Sequence, residues 1–167
     1  MQKVMIIGCC GAGKSTLAKR LHEQTSLPLY HLDQYYWKPN WQEPTKAEWE
    51  PIVHQLAQKK RWIIDGNYSS TLDIRLQAAD TVIYLDYPTI RCLWRITKRI
   101  IKYRGQVRPD MPRGCQERFD LGFYHYVAIF NLVKRPSLLN KLDAFAKEKQ
   151  VIILRNDRAV RRFLDEL

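Results

Sequence analysis

The sequence predicts a three-layer α/β domain built on a parallel sheet. Three observations carry this. Five short, continuous apolar runs rich in β-branched residues recur along the chain, helical patterns separate them, and a glycine-rich turn joins the first run to the first helix. Continuous apolar runs are the mark of strands covered on both faces, and strict alternation of strand and helix makes such a sheet parallel. A chain of 167 residues fits one domain with room for a core, so a single domain over 1–167 is expected.

The strand runs are Val4–Ile7, Leu29–Leu32, Trp62–Ile64, Thr81–Leu85 and Val151–Leu154. Helical spacing covers Lys14–Gln24, then Ala47–Lys59, which a Thr45-x-x-Glu48 capping pattern opens. Pro51 is expected to mark the true first turn of that second helix, where a missing N–H costs nothing. Further helices are expected over Leu72–Ala79, Ile90–Tyr103, Phe119–Val133 and Ser137–Glu148, with a last one from Asp157. Ligands of open parallel sheets bind beyond the carboxyl ends of the strands, and every chemistry-bearing motif here lies at such an end.

The first strand runs into Gly8-Cys9-Cys10-Gly11-Ala12-Gly13-Lys14-Ser15, which matches G-x-x-x-x-G-K-[ST] at each fixed position. Glycines let successive N–H groups point inward at an anion, and the helix N-terminus beginning at Lys14, Ser15 and Thr16 adds unpaired donors. Lys14 can reach the outer phosphates of a nucleotide, and the Ser15 hydroxyl can ligate magnesium. At the second strand end, Asp33 can take a proton from an acceptor hydroxyl or orient a metal-bound water; the alternative is a helix-capping carboxylate. Tyr35, Tyr36, Trp37 and Trp41 follow as an aromatic group suited to stacking a ring, or to packing. At the third strand end, Asp65 suits the magnesium shell, Gly66 permits close approach of a substrate, and Asn67 and Tyr68 are acceptor-site candidates. Arg75, on the next helix, could pair an acceptor phosphate. After the last strand, Asn156 has the donors and acceptors to read a base, while Asp157 suits a helix cap.

Charge is uneven. Lys and Arg number 28 against 17 Asp and Glu, a formal net charge of +11, which points to anionic ligands. Between Arg91 and Arg118, nine basic residues face only Asp110 and Glu117. Arg91, Arg95, Arg99 and Lys102 share one helix face, where they repel unless an anion or a carboxylate faces them. A loop with Gly105, Pro109, Pro112 and Gly114 follows, so a mobile basic lid near 103–120 is expected, closing arginines over a transferring phosphoryl group. The same segment, 91–118, also reads as a DNA-binding patch. If it is mostly lid, ATP and DNA compete; if it is a separate patch, they do not.

The four cysteines, Cys9, Cys10, Cys92 and Cys115, form no C-x-x-C pair, which leaves zinc and dithiol readings without support. Cys9 and Cys10 read as passive loop residues or as a redox switch at a helix N-terminus. No apolar run approaches the ~18 residues of a membrane span, and no signal segment precedes the first strand, so a cytoplasmic location without membrane contact is expected.

Together these residues resemble a known family. The phosphate loop, Asp65-Gly66, and Leu85-Asp86-Tyr87-Pro88 with arginines downstream are similar to the adenylate-kinase-like small kinases. The two lid arginines of that family fall, counted from Asp86, on Arg95 and Arg99. His31-Leu32-Asp33, Trp37 with Pro39-Asn40-Trp41, Asp65-Gly66-Asn67-Tyr68, Arg108-Pro109-Asp110-Met111 and Gly114-Cys115-x-Glu117-Arg118 resemble the bacterial topology modulation protein (FlaR-like) group over nearly the whole chain. The resemblance implies the P-loop NTPase fold with strand order 2-3-1-4-5, ATP and Mg2+ as cofactors, and an ATP-dependent phosphotransferase for a nucleotide, nucleoside or related metabolite. Its group label implies instead an ATP-binding factor associated with DNA topology. The Gly-Phe-Pro-Arg segment of true adenylate kinases is replaced by Gly66-Asn67-Tyr68-Ser69, so an acceptor arginine is missing unless Arg75 substitutes. Asp33-Gln34-Tyr35-Tyr36 with Lys38-Pro39 is similar to a segment of uridine and nicotinamide-riboside kinases, which implies a hydroxyl acceptor with Asp33 as base.

Overall fold

The computed structural model describes all residues, 1–167. Five parallel strands form one sheet: β1 Lys3–Gly8, β2 Leu29–His31, β3 Trp62–Asp65, β4 Thr81–Leu85 and β5 Gln150–Leu154, in the spatial order β2-β3-β1-β4-β5. The helices are α1 Lys14–Thr25, α2 Leu32–Tyr36, α3 Lys46–Gln58, α4 Leu72–Ala78, α5 Thr89–Lys102, α6 Leu121–Val133, α7 Arg135–Phe145 and α8 Asp157–Asp165. Single 3-10 turns sit at Pro39–Trp41 and Ser69–Thr71. The short helix α2, directly after β2, occupies what the sequence presents as the end of the strand.

Alternation along each strand divides the core between the two sheet faces. Val4, Ile6, Ile63, Ile83 and Leu85 pack with Leu17 and Leu21 of α1, Cys92 and Ile96 of α5, Phe130 of α6 and Leu164 of α8. Met5, Ile7, Trp62, Ile64, Val82 and Tyr84 pack with Trp49 and Val53 of α3, Leu76 of α4 and Leu142 of α7. Burying each such side chain is worth about 1.5–3 kcal/mol. The register places Ile6 beside Asp65 and Gly8 beside Leu85, while His31 lies beside Asp65. The chemistry-bearing strand ends thus share one edge of the sheet.

Helix α3 starts at Lys46 with both halves of its capping box formed between Thr45 and Glu48. Pro51 therefore lies inside the helix and not in its first turn, which corrects the expectation. Its ring removes the hydrogen bond to the Ala47 carbonyl, and both residues are exposed, so water takes that carbonyl.

Helix α5 carries the basic residues, and the segment after it, up to α6, is a loop closed by bridges Arg104–Glu117 and Val107–Gln116. This segment docks on α2 and the loop after it. The Trp41 indole N–H donates to the Gln116 carbonyl at 3.0 Å, Asn40 N–H to the Gly114 carbonyl at 3.2 Å, and Gln34 to the Pro109 carbonyl at 3.1 Å. Gly114 adopts φ +86°, and a Cβ there would stand 3.1 Å from Pro39, so the contact requires glycine. No helix is long and apolar enough to cross a membrane.

Candidate functional site

The turn between β1 and α1 curls as its glycines allow. Gly11 takes φ +81°, and a Cβ on it would meet the Cys92 carbonyl of α5 at 2.4 Å, so only glycine fits against that helix. Lys14 Nζ donates back to the carbonyls of Gly8 at 2.9 Å and Cys9 at 3.1 Å, which holds the ammonium over the loop. Gly8 N–H donates to Asn67 Oδ1 at 3.0 Å, tying the loop to the end of β3. Of the four cysteines, all free, Cys9, Cys92 and Cys115 are buried.

Asp65 is shared. The Ser15 hydroxyl donates to Oδ2 at 2.9 Å, and His31 Nδ1 donates to Oδ1 at 2.6 Å. Burial works against charge on His31, but the hydrogen bond and charge of Asp65 outweigh it and raise the imidazole pKa. A hydroxyl beside a carboxylate is a hard-oxygen pair that suits magnesium, which keeps most of its shell as water and phosphate. Residues and loop therefore fit a nucleotide with magnesium.

Across the cleft, Tyr68 donates its hydroxyl to Asp33 Oδ1 at 2.5 Å. Burial pushes the Asp33 pKa up and the nearby Asp65 charge adds to this, while the Tyr68 hydrogen bond works the other way. Asp33 belongs to α2 and does not cap a helix through its side chain. Tyr36 packs edge-on against the buried Trp49, with centroids 5.0 Å apart, and Trp37 against Trp41 at 5.2 Å. One cleft of about 1330 Å³ takes in Gly11 to Thr16, Asp33, Tyr36, Trp37, Asp65 to Tyr68, Arg95 and Arg99.

The arginines of α5 have their carboxylates. Asp157, the first residue of α8, pairs with Arg91 and, at 2.6 Å, with Arg95. Arg95 also donates to the Ala12 carbonyl at 2.9 Å and lies over the Tyr87 ring at 4.8 Å. Glu117, 5% exposed, faces Arg99 at 2.9 Å and Arg108 at 2.7 Å; Arg108 in turn bonds Asp110 at 3.0 Å. The Arg108–Glu117 approach is an ion pair without hydrogen-bond alignment.

Two expected site residues lie elsewhere. Arg75 is fully buried and donates to the carbonyls of Thr71, Gly66, Asn67 and Tyr68, so it holds the loop after β3 from beneath and cannot pair an acceptor phosphate. Burial pushes its pKa down to about 9. Asn156 caps α8, its side chain accepting the Ala159 N–H at 2.8 Å, and lines a small separate hollow. Asp157, which the sequence suggests as that cap, instead faces the arginines. His31, Tyr87, Glu117 and Asp157 enter the site unannounced, although the arginine spacing on α5 does demand facing carboxylates.

No protein-family model matches the chain, and no curated protein matches it in sequence. Solved structures match it in fold. A sugar kinase from Janibacter sp. HTCC2649 aligns at 18% identity over 99% of this chain and 93% of its own, with TM-score 0.54. A shikimate kinase from Acinetobacter baumannii, solved with shikimate, aligns at 15% identity over 99% and 90%, with TM-score 0.59. A deoxyadenosine kinase from M. mycoides, solved with dCTP, aligns at 14% over 98% and 97%, with TM-score 0.50. The likeness establishes the α/β fold and its strand order.

Proposed function

We propose that the protein is an ATP-dependent phosphotransferase acting on a hydroxyl of a small molecule, of nucleotide, nucleoside or related type. The observation that carries this is the placement of Lys14, Ser15 and Asp65 in one cleft with Asp33 and Tyr68. Bound ATP and magnesium supply an activated phosphoryl group and charge neutralisation. Lys14 turns from its loop carbonyls to the outer phosphates, and Ser15 and Asp65 hold the metal and its water shell. Asp33, kept basic by burial and aligned by Tyr68, accepts the proton of the acceptor hydroxyl as its oxygen bonds to the γ-phosphorus and the bond to ADP breaks. Arg95 and Arg99 stabilise the charge on the equatorial oxygens after leaving Asp157 and Glu117.

ADP release with ATP, magnesium and a panel of acceptors tests this. Lys14→Ala is expected to lower turnover by about 10²–10³-fold with the fold intact, as loss of one phosphate-stabilising group does. Asp33→Asn should lower turnover and leave ATP affinity in place. Unchanged turnover in Lys14→Ala overturns the proposal. A second reading, an ATP-binding DNA factor, draws on Lys98, Lys102, Arg104 and Arg113, which make no ion pair; DNA binding that survives saturating ATP, with no acceptor stimulating turnover, favours it.

A further inference from the structure

Away from the cleft, α5 and α6 turn apolar stripes to solvent. Of the eleven large hydrophobic side chains exposed on the molecule, five form these stripes. They are Ile90, Trp94 and Ile101 on α5 and Leu121 and Leu132 on α6, each 58–78% exposed. Their spacing, four and seven residues on α5 and eleven on α6, puts each set on one helix face. Exposed Thr97 completes the first stripe, and exposed His125 and Ala128 complete the second. The stripes adjoin, since the Thr97 and Tyr124 hydroxyls meet at 3.0 Å. None of these stripe residues lines the cleft. Charge is distributed with the same asymmetry. Neither helix contains Asp or Glu, and α6 contains no Lys or Arg either. On α5 the cations lie on the flank away from α6: Arg91 and Arg95 reach Asp157 of α8, and Lys98 lies over the Trp94 ring at 4.3 Å. The apolar surface thus has one cationic edge, along α5, and one uncharged edge, along α6.

Monomers rarely expose a contiguous apolar patch above a few hundred Å², and such patches mark interfaces. At on the order of 100 Å² each, the five large side chains and the three smaller ones between them reach the roughly 800 Å² per partner of a standard interface. A nucleic-acid backbone needs cations, which the stripes themselves lack, whereas an apolar surface centred on an exposed Trp is what the core of a homodimer interface presents. We infer that a second copy of this chain covers this face, with α5 of one copy packed on α6 of the other about a two-fold axis running along the helices. That axis sends the two cationic edges to opposite rims. An axis across the helices would instead set Lys98 and Lys102 against their own images, and like charges so placed cost affinity. Arg95 and Arg99 project from the part of α5 turned toward the cleft, so both clefts stay open in the pair.

Sedimentation equilibrium of the whole chain, from about 1 to about 100 μM, tests this over the range in which modest interfaces dissociate. A dimer is expected. Trp94→Glu on α5 and Leu132→Glu on α6 should each weaken it by on the order of 30-fold, the scale of a central interface residue. Both positions are exposed, so both variants should keep the wild-type circular dichroism. Leu167→Glu, exposed but off this face, should leave the dimer unchanged. The pairing of helices has its own test. The Thr97–Tyr124 contact sets Trp94 level with Ala128, so mixing Trp94→Glu chains with Ala128→Lys chains should restore a dimer through one carboxylate–ammonium contact. No rescue, or weakening by only one of the two glutamate variants, overturns the α5-on-α6 arrangement. A dimer that neither variant weakens overturns the inference by placing the interface elsewhere. A monomer throughout the range also overturns it; if that monomer then sediments with phosphatidylglycerol vesicles and Trp94→Glu does not, an anionic lipid surface is the cover instead.

Discussion

Arg75 illustrates how one side chain can serve a site without entering it. Its guanidinium donates to Gly66, Asn67 and Tyr68 carbonyls at 2.7–3.0 Å, the residues that carry Asn67 to the phosphate loop and Tyr68 to Asp33. Arg75→Met leaves those buried carbonyls without partners, and each unsatisfied group costs about 1–3 kcal/mol. The variant is expected to lose at least about 3 kcal/mol in urea unfolding. A loss under about 1 kcal/mol would show that water or other donors replace the guanidinium. At this scale the sequence is least legible. Arg75 and Asn156 read as ligand-facing because their chemistry suits a ligand, and nothing in neighbouring residues shows that one points into the core and the other caps its own helix. Asp65 and Lys14 do lie together at the cleft, because strand end and glycine loop leave them only one direction to face.

Among the elements, one carboxylate anchors the 103–120 segment to α5 and another anchors α7 to the end of β4. Glu117 holds Arg99 and Arg108 while buried at 5% exposure. Glu117→Gln removes the charge that both guanidinia face, so trypsin should cut the Arg104–Arg113 segment several-fold faster in the absence of ATP, read by intact-mass spectrometry; an unchanged rate would place the latch in the docking to Trp41 and Asn40 instead. Helix α7 is tied to the end of β4 by Arg135 on Asp86, through bonds of 2.7 and 2.9 Å. The Arg135 hydrogen bond holds the Asp86 carboxyl below its ordinary 3.8, with burial opposing. A depressed carboxylate stabilises the fold above its unfolded pKa and stops doing so as pH falls through its folded value. The destabilisation by Arg135→Met, about 1 kcal/mol at neutral pH for a half-exposed partner, should therefore persist down to about pH 4 and vanish below it in thermal melts. Strands and helices were legible to within a few residues because their periodicity is set by burial. The lid loop was legible as glycine- and proline-rich, but not its docking, since backbone carbonyls such as those of Gln116 and Gly114 leave no mark in a residue pattern.

Over the whole molecule, the two core faces share β1, β3 and β4, so neither can melt alone. Unfolding by urea is expected to give one transition, coincident by circular dichroism and tryptophan fluorescence; two separated transitions would mean that the helical segment after α5 folds as its own unit. Sheet order and the common edge of strand ends were legible from the alternation of runs together with the family likeness. The charge balance of the cleft was not, because it depends on which charges are already neutralised, and that is a property of the folded surface alone.

The contact of Gly11 with the Cys92 carbonyl has a mechanical corollary. The glycine-rich turn, which under the proposed function would grip a nucleotide, rests directly on the shaft of α5, whose far end leads into the 103–120 segment. Tilting that shaft presses or releases the turn without any intervening side chain. A methyl group introduced at position 11 would act as a wedge, forcing α5 outward and holding the lid ajar, so Gly11→Ala should weaken ATP binding and lid closure together.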